Sequence, residues 1–220
     1  MRRSCAVFLA GLIAATADAH ATPTQTFTYK VEHPSYGDIG TFTDTVAQEG
    51  DLKRIDSKLR IAVRILGIVV HREEADRTEI WRGGRLSEFH SITRVNGAAI
   101  EVRGEARPDG FVVTSPNGVA IAPPDVFPSS PWVQVPNRPA TLMSTKSGKI
   151  MPVTVQGGEA TEVNVLGASV PVRHFQFISD KRQEVWFDAA GVPVRFRTEQ
   201  SGDPIDFVLT HRVSVAQASH

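Results

Sequence analysis

Apolar and polar residues alternate along most of this chain, with glycine-bearing turns breaking the pattern at short intervals, and this restricts its fold more than any other feature. Phe27, Tyr29 and Val31 alternate with Thr28, Lys30 and Glu32. Ile55, Leu59, Ile61, Val63 and Ile65 fall on one side, with Arg54, Asp56, Lys58, Arg60 and Arg64 opposite. Ile100 and Val102, then Val192, Val194 and Phe196, then Ile205, Phe207 and Leu209 repeat the arrangement. A period of two puts successive side chains on opposite faces of a strand. One apolar face per strand points to antiparallel sheet with a dry side and a wet side.

The punctuation agrees. Gly83-Gly84, Asn96-Gly97, Asp109-Gly110, Asn117-Gly118, Gly157-Gly158 and Ala190-Gly191 each separate strand-like runs. Such pairs tolerate the positive φ that tight hairpin turns require. No stretch carries a 3.6-residue apolar stripe over a dozen residues. The expectation is an all-β chain built as an antiparallel hairpin meander.

Three segments stand apart. Residues 1–21 read as a secretory signal peptide: Arg2 and Arg3, an apolar run from Cys5 to Ala15, then Ala19-His20-Ala21 as a cleavage site. The run is far short of the roughly 20 residues a membrane span needs, so no transmembrane segment is expected. The general export route is favoured over twin-arginine export, because Cys5 stands where the latter wants a bulky apolar residue. The expected location is periplasmic or secreted, with one all-β domain over 22–215 and a loose tail over 216–220. Within that domain, 122–139 holds Pro123, Pro124, Pro128, Pro131, Pro136 and Pro139, which cannot supply ladder hydrogen bonds. It reads as a long surface connection, a lid or a static plug.

Composition removes several functions. The chain has 24 basic and 24 acidic side chains; without Arg2, Arg3 and Asp18 the formal net charge is −1. Nothing of one sign gathers to recruit nucleic acid. The single cysteine is Cys5, so the processed chain has no thiol for catalysis, metal binding or disulfides. No Gly-x-Ser-x-Gly, Ser-x-x-Lys or His-Glu-x-x-His motif occurs. Ser147-Gly148-Lys149 looks like part of a phosphate loop, but Met143 replaces the upstream glycine and Ile150 the Ser/Thr; it reads as a hairpin turn.

Two residue types remain as site candidates. His33, His90, His174 and His211 each continue a mostly apolar alternating run, and four imidazoles lining one interior suit a transition metal. The plainer alternative is that each sits near a strand end and bonds locally. Trp81 and Trp186 read as core or cavity-wall residues, and Trp132 as the residue that packs the proline segment down. The segments around Glu79-Ile80-Trp81 and Glu184-Val185-Trp186 echo one another, either because Trp suits a strand end or because the sheet has a two-fold plan.

Tyr29-x-Val31, Gly37-x-Ile39-Gly40, Glu79-Ile-Trp81-x-x-Gly84-x-Leu86, Ser91-x-Thr93-x-x-Asn96-Gly97, Gly158-Glu159 and Trp186-Phe-Asp188-x-x-Gly191 together resemble an exported bacterial family known only as a domain of unknown function. That family is similar to the curved sheets of outer-membrane lipoprotein carriers. The resemblance implies a strongly curved sheet or half-open barrel with a concave apolar interior, and it brings no catalytic residues and no cofactor. The leading expectation is a non-enzymatic protein binding a lipid or other apolar ligand, with Trp81, Trp132 and Trp186 as ligand-contact candidates. A metal-dependent hydrolase using the four histidines and a structural partner of another envelope protein are the alternatives.

Overall fold

The alternating runs form strands. The computed structural model describes residues 23–216 apart from 134, 136–138 and 201, so the leader 1–21 and residues 217–220 lie outside the described residues. Ala216, placed in the tail by its sequence, is the last residue of a strand and pairs with Pro23. The described residues contain no helix. Their strands are β1 (Pro23–His33), β2 (Gly37–Glu49), β3 (Leu52–Ile65), β4 (Ile68–Arg82), β5 (Arg85–Val95), β6 (Ala98–Arg107), β7 (Gly110–Ser115), β8 (Gly118–Ala122), β9 (Phe127–Pro128), β10 (Ala140–Met143), β11 (Ile150–Val165), β12 (Ala168–Ile178), β13 (Arg182–Phe187), β14 (Pro193–Gln200) and β15 (Asp203–Ala216).

All fifteen lie in one sheet, ordered β8-β7-β6-β5-β4-β3-β2-β1-β15-β14-β13-β12-β11-β10-β9. The short β9–β10 pair is parallel and every other pair antiparallel, so the chain is a meander whose first and last long strands, β1 and β15, meet in its middle. The sheet rolls up without closing. Tyr29 of β1 and Phe42 of β2 reach Phe196 of β14, at ring-centroid distances of 5.2 and 5.5 Å. The two sheet edges, β8 and β9, are not paired with each other. The hairpin loop 144–149 bridges the seam: Ser91 Oγ donates to the Thr145 carbonyl at 2.7 Å, and Asn117 Nδ2 to the Ser147 carbonyl at 3.3 Å.

Five of the six glycine pairs do separate strands. Gly157-Gly158 instead lies inside β11, where the register against β12 slips between Gly157 and Glu159. Both glycines have φ near +100°, the region an inserted bulge residue favours in a strand, so the pair bends β11 rather than reversing it. Two reversals carry no conventional turn signal. Leu66-Gly67 and Leu166-Gly167 each form a two-residue hairpin loop with both residues at positive φ, the leucines at 50° and 56°. A leucine in that conformation costs on the order of 1–2 kcal/mol, which is why Asn or Asp normally stands there.

Within 122–139, the stretch 126–133 is not the surface connection that the prolines suggested, whereas Pro123, Pro124 and Pro139 are exposed. Val126, Phe127, Pro128, Ser130, Pro131, Trp132 and Val133 are buried, because the chain turns inward there and plugs the barrel. Trp132 packs on Phe27 with ring centroids 4.8 Å apart. Prolines suit such a plug, because they have no amide hydrogen to leave unpaired in an interior without a ladder. The echo around the two tryptophans is not a structural repeat either. Glu79 and Trp81 point into the barrel, whereas Glu184 and Trp186 lie on its outer face beside Arg195, Arg197 and His174.

Candidate ligand-binding cavity

The inward face of the barrel carries an aromatic cluster with charged positions on either side of it along the strands, Glu73 towards one end and Asp44, Arg77 and Glu79 towards the other. On β2 the inward positions are Phe42, Asp44 and Val46; on β3, Ile55, Ser57, Leu59 and Ile61; on β4, Glu73, Ala75, Arg77, Glu79 and Trp81. A cavity of about 460 Å³ opens at the barrel end that holds loop 144–149. Its apolar wall includes Phe42, Leu59, Leu142, Phe177, Phe196 and Phe207. Phe196 and Phe207 stack at 4.3 Å, and Phe42 meets both nearly edge-on at 5.5 and 5.7 Å, which fixes the wall's shape.

Charge enters this cavity from β4 and from the mouth loops. Glu73, almost fully buried, accepts from Lys146 Nζ at 2.8 Å and from Gln200 Nε2 at 3.5 Å, with His71 Nε2 3.9 Å away. Arg77 lines the cavity, and among the described residues no carboxylate comes within 4 Å of its guanidinium. Its Nε is buried without a hydrogen-bond partner among the described residues. Burial pulls the Arg77 pKa down, with Glu73, Glu79 and Asp44 opposing from a distance.

Deeper in the barrel lies a buried polar layer. Trp81 Nε1 donates to Glu79 Oε2 at 3.0 Å, and Trp132 Nε1 to Asp44 Oδ2 at 2.7 Å. Burial pushes the Asp44 pKa up to about 7, against hydrogen bonds from Ser57 and Trp132 that pull it down. Burial likewise raises Glu79 and lowers Lys53, whose Nζ sits 5.2 Å over the Trp132 ring. Tyr29 Oη, Asp44 Oδ1, Glu79 Oε1 and Thr93 Oγ1 have no hydrogen-bond partner among the described residues. Asp44 stands between Phe42 and Val46, so its inward position was readable from strand parity; the long-range gathering of these groups was not.

The four histidines are not brought together. His33 accepts at Nδ1 from the Ser35 amide and lies 3.6 Å from Asp203 at the rim. His90 pairs with Glu101 on the outer face at 2.8 Å. His174 stacks on Trp186 at 4.4 Å and pairs with Glu184 at 2.9 Å. His211 is exposed and contacts Thr210 Oγ1 at 3.2 Å. The expectation that they line one interior fails because their strand positions face outward or lie at strand ends. Among the described residues no group of three or more His, Cys, Asp or Glu could hold a metal ion.

The tryptophans are likewise dispersed. Trp81 is inside the barrel but outside the lining of the 460 Å³ cavity. Trp132 is in the plug and contributes to a separate opening with Phe175 and Phe187, while Trp186 is on the outer face.

Comparison with known proteins agrees with this architecture. The family model of DUF6134, a domain of unknown function, matches residues 29–210. The chain belongs to the DUF6134 family. That match runs from the core residue Tyr29 to Thr210 in the middle of β15, and so takes in the whole cavity wall. No curated protein matches the chain. A crystal structure of a beta-barrel-like protein of domain of unknown function DUF1849 from Brucella abortus is similar to it, with a TM-score of 0.65 and 10% identity. The likeness covers 89% of this chain and 99% of that one, and at such identity it concerns the fold alone.

Proposed function

We propose that this DUF6134 protein is an exported, non-enzymatic binding protein for an anionic amphiphile, such as a fatty acid, held in the barrel with its head group at Arg77. The observation that carries this reading is one cavity with an aromatic wall and, on its β4 side, a guanidinium without an ion-pair partner. A volume of about 460 Å³ falls within the range of small-molecule sites, which are mainly apolar with a few placed polar groups. The tail would lie against Phe42, Leu59, Phe196 and Phe207, and the head group would offer Arg77 the charge it lacks. A buried cation is stabilised by a carboxylate or phosphate more than by any neutral group. The leader-like residues 1–21 support export, and with it a periplasmic or secreted location.

The test is titration with an environment-sensitive fatty-acid probe, competed by a long-chain fatty acid and by the alcohol of equal length. The expected result is saturable one-to-one binding that the acid displaces better than the alcohol. Arg77→Met, which keeps the stem and removes the charge, should weaken acid binding by about 10- to 100-fold and leave the alcohol nearly unchanged. Non-saturable binding, or equal losses for acid and alcohol, would count against the proposal.

A further inference from the structure

The β3–β4 hairpin outruns its neighbours. The last β2 partner of β3 is Gly40, opposite Ile61, and the last β5 partner of β4 is Val95, opposite Glu73. Residues beyond these pairs form a two-stranded ribbon that ends at Leu66-Gly67. Val63 is still buried and Arg72 exchanges two hydrogen bonds with Asn96, so the free ribbon is 64–70; at about 3.3 Å per residue, the two or three residues on each side project roughly 8 Å past the sheet.

The ribbon's tip is apolar where a soluble hairpin would be polar. Leu66 is 98% exposed, Ile68 68%, Val70 50% and Ile65 45%. Leu66 also holds the positive φ that favours Asn, Asp or Gly, so neither burial nor turn geometry accounts for leucine there. An exposed apolar patch of this kind marks an interaction surface. The other Leu-Gly turn makes the contrast: around Leu166, Val165 is buried and no further large apolar side chain is well exposed.

A basic group flanks the tip, Arg64, and a second, Arg72, stands at the ribbon's base. Arg64 has no ion pair among the described residues, and Arg72 has only Glu74, at 3.7 Å. By the alternation of the meander, the tip lies at the same end of the barrel as the cavity mouth, where Lys146, Lys149, Lys181 and Arg182 stand. Glu73, Asp180 and Glu199 stand there too, so the mouth is only mildly cationic. Half-exposed Tyr36, in the β1–β2 turn, is at this end as well.

We propose that the β3–β4 hairpin docks the barrel, mouth first, onto a lipid bilayer containing anionic headgroups, with Leu66 and Ile68 at the acyl boundary and Arg64 and Arg72 among the headgroups. Free backbone groups along both edges of the ribbon limit its insertion to the interface, where water still reaches them. The proposal deepens the amphiphile reading, because it makes the bilayer the source or destination of the bound molecule.

The test is flotation with vesicles of phosphatidylcholine alone and of phosphatidylcholine with phosphatidylglycerol. The protein should float with the anionic vesicles. Leu66→Asp should lower its partitioning at least tenfold, while Leu166→Asp, the same turn at the opposite end, should change nothing. Asp tolerates positive φ better than Leu, so the thermal midpoint of the Leu66 variant should not fall. Arg64→Glu and Arg72→Glu should each reduce anionic binding by about fivefold or more at low salt.

Absence of flotation, or equal flotation of the Leu66 variant, would overturn the proposal. So would a dimer in sedimentation that Leu66→Asp dissolves while vesicles go unbound, since the tip would then cover a second copy. The fatty-acid probe, titrated into Leu66→Asp without vesicles, keeps the two readings apart. If that binding is absent while flotation holds, the amphiphile reading fails and docking stands.

Discussion

The indole Nε1 of Trp132 donates a 2.7 Å hydrogen bond to Oδ2 of Asp44, joining two residues 88 positions apart. One belongs to the proline-rich plug and the other to the inward face of β2, so this bond fastens the plug to the barrel wall. Asp44 is fully buried and its other oxygen has no hydrogen-bond partner among the described residues. The indole is therefore one of few groups that offset the desolvation of this carboxyl group.

Trp132→Phe should destabilise the protein by about 1–3 kcal/mol, because it leaves a buried acceptor without its donor. In an Asp44→Ala background the same change should have a clearly smaller effect. A double-mutant cycle by urea unfolding measures the coupling, expected above about 1 kcal/mol. Strict additivity would mean that the plug is held by packing alone.

Asp44 also sets a pH dependence. Its pKa rises from 3.8 to about 7 on folding, so folding takes up a proton between those values. Stability from this group is fully present below pH 3.8 and is lost as pH rises through about 7. Asp44→Asn keeps an acceptor for Trp132 but cannot ionise. It should therefore gain on the wild type as pH rises from 5 to 8, by an amount on the order of a few kcal/mol. Unfolding curves at several pH values check this; a constant or reversed gap would contradict the assignment of Asp44 as buried and protonated.

Much of the barrel was legible because strand parity is a local signal. Phe27, Tyr29 and Val31, or Ile205, Phe207 and Leu209, need only alternation to be placed on the inner face. Asn96-Gly97 and Asn117-Gly118 announce their turns through backbone chemistry. Leu66-Gly67 and Leu166-Gly167 do not, because leucine has no preference for positive φ and its presence in a turn reflects something outside local propensity. Gly157-Gly158 suits both a turn and a bulge, and only the β12 pairing decides. Parity also cannot say which side is inward when both faces carry large apolar groups, which is how Trp186 came to be expected in the cavity wall. The proline segment misled for a related reason: proline content reports the absence of a ladder, whereas burial follows from Val126, Phe127 and Trp132. Arg77, the cavity's distinguishing residue, sits in a run of charges whose inward members, Glu73, Arg77 and Glu79, emerge only from the β3 and β5 registers.

Position along the inward face of β3 should grade the effect of a buried charge. Ile55 is fully buried away from the cavity, Leu59 lines its wall, and Ile61 pairs across the sheet with Glu73 near the mouth. Ile55→Lys should cost more than about 3 kcal/mol, Leu59→Lys somewhat less, and Ile61→Lys least, since its ammonium can reach Glu73 and water. Arg60→Ala, on the outer face, gives up an exposed pair with Asp76 and should cost under about 1 kcal/mol. Chemical denaturation ranks the four; an Ile61 variant as damaged as the Ile55 variant would place the mouth elsewhere.

Trp186 separates a structural tryptophan from a ligand contact. On the outer face its ring is stacked by His174 at an interplanar angle of 6° and flanked by Arg195 and Arg197, with guanidinium carbons 5.0 and 5.8 Å from the ring. Asp206 accepts hydrogen bonds from both arginines at 2.7–3.1 Å, which holds them in place around the indole. Trp186→Ala removes a large side chain and two cation–π contacts, so it should destabilise by about 2–4 kcal/mol. Because the indole faces away from the cavity, fatty-acid probe affinity should stay within about twofold of wild type in the folded variant. Phe207→Ala, by contrast, takes away cavity wall and should weaken the probe by about 1–3 kcal/mol. The pair of titrations, run well below the melting temperature of each variant, checks both; loss of probe binding in the Trp186 variant alone would move the binding site to the outer face.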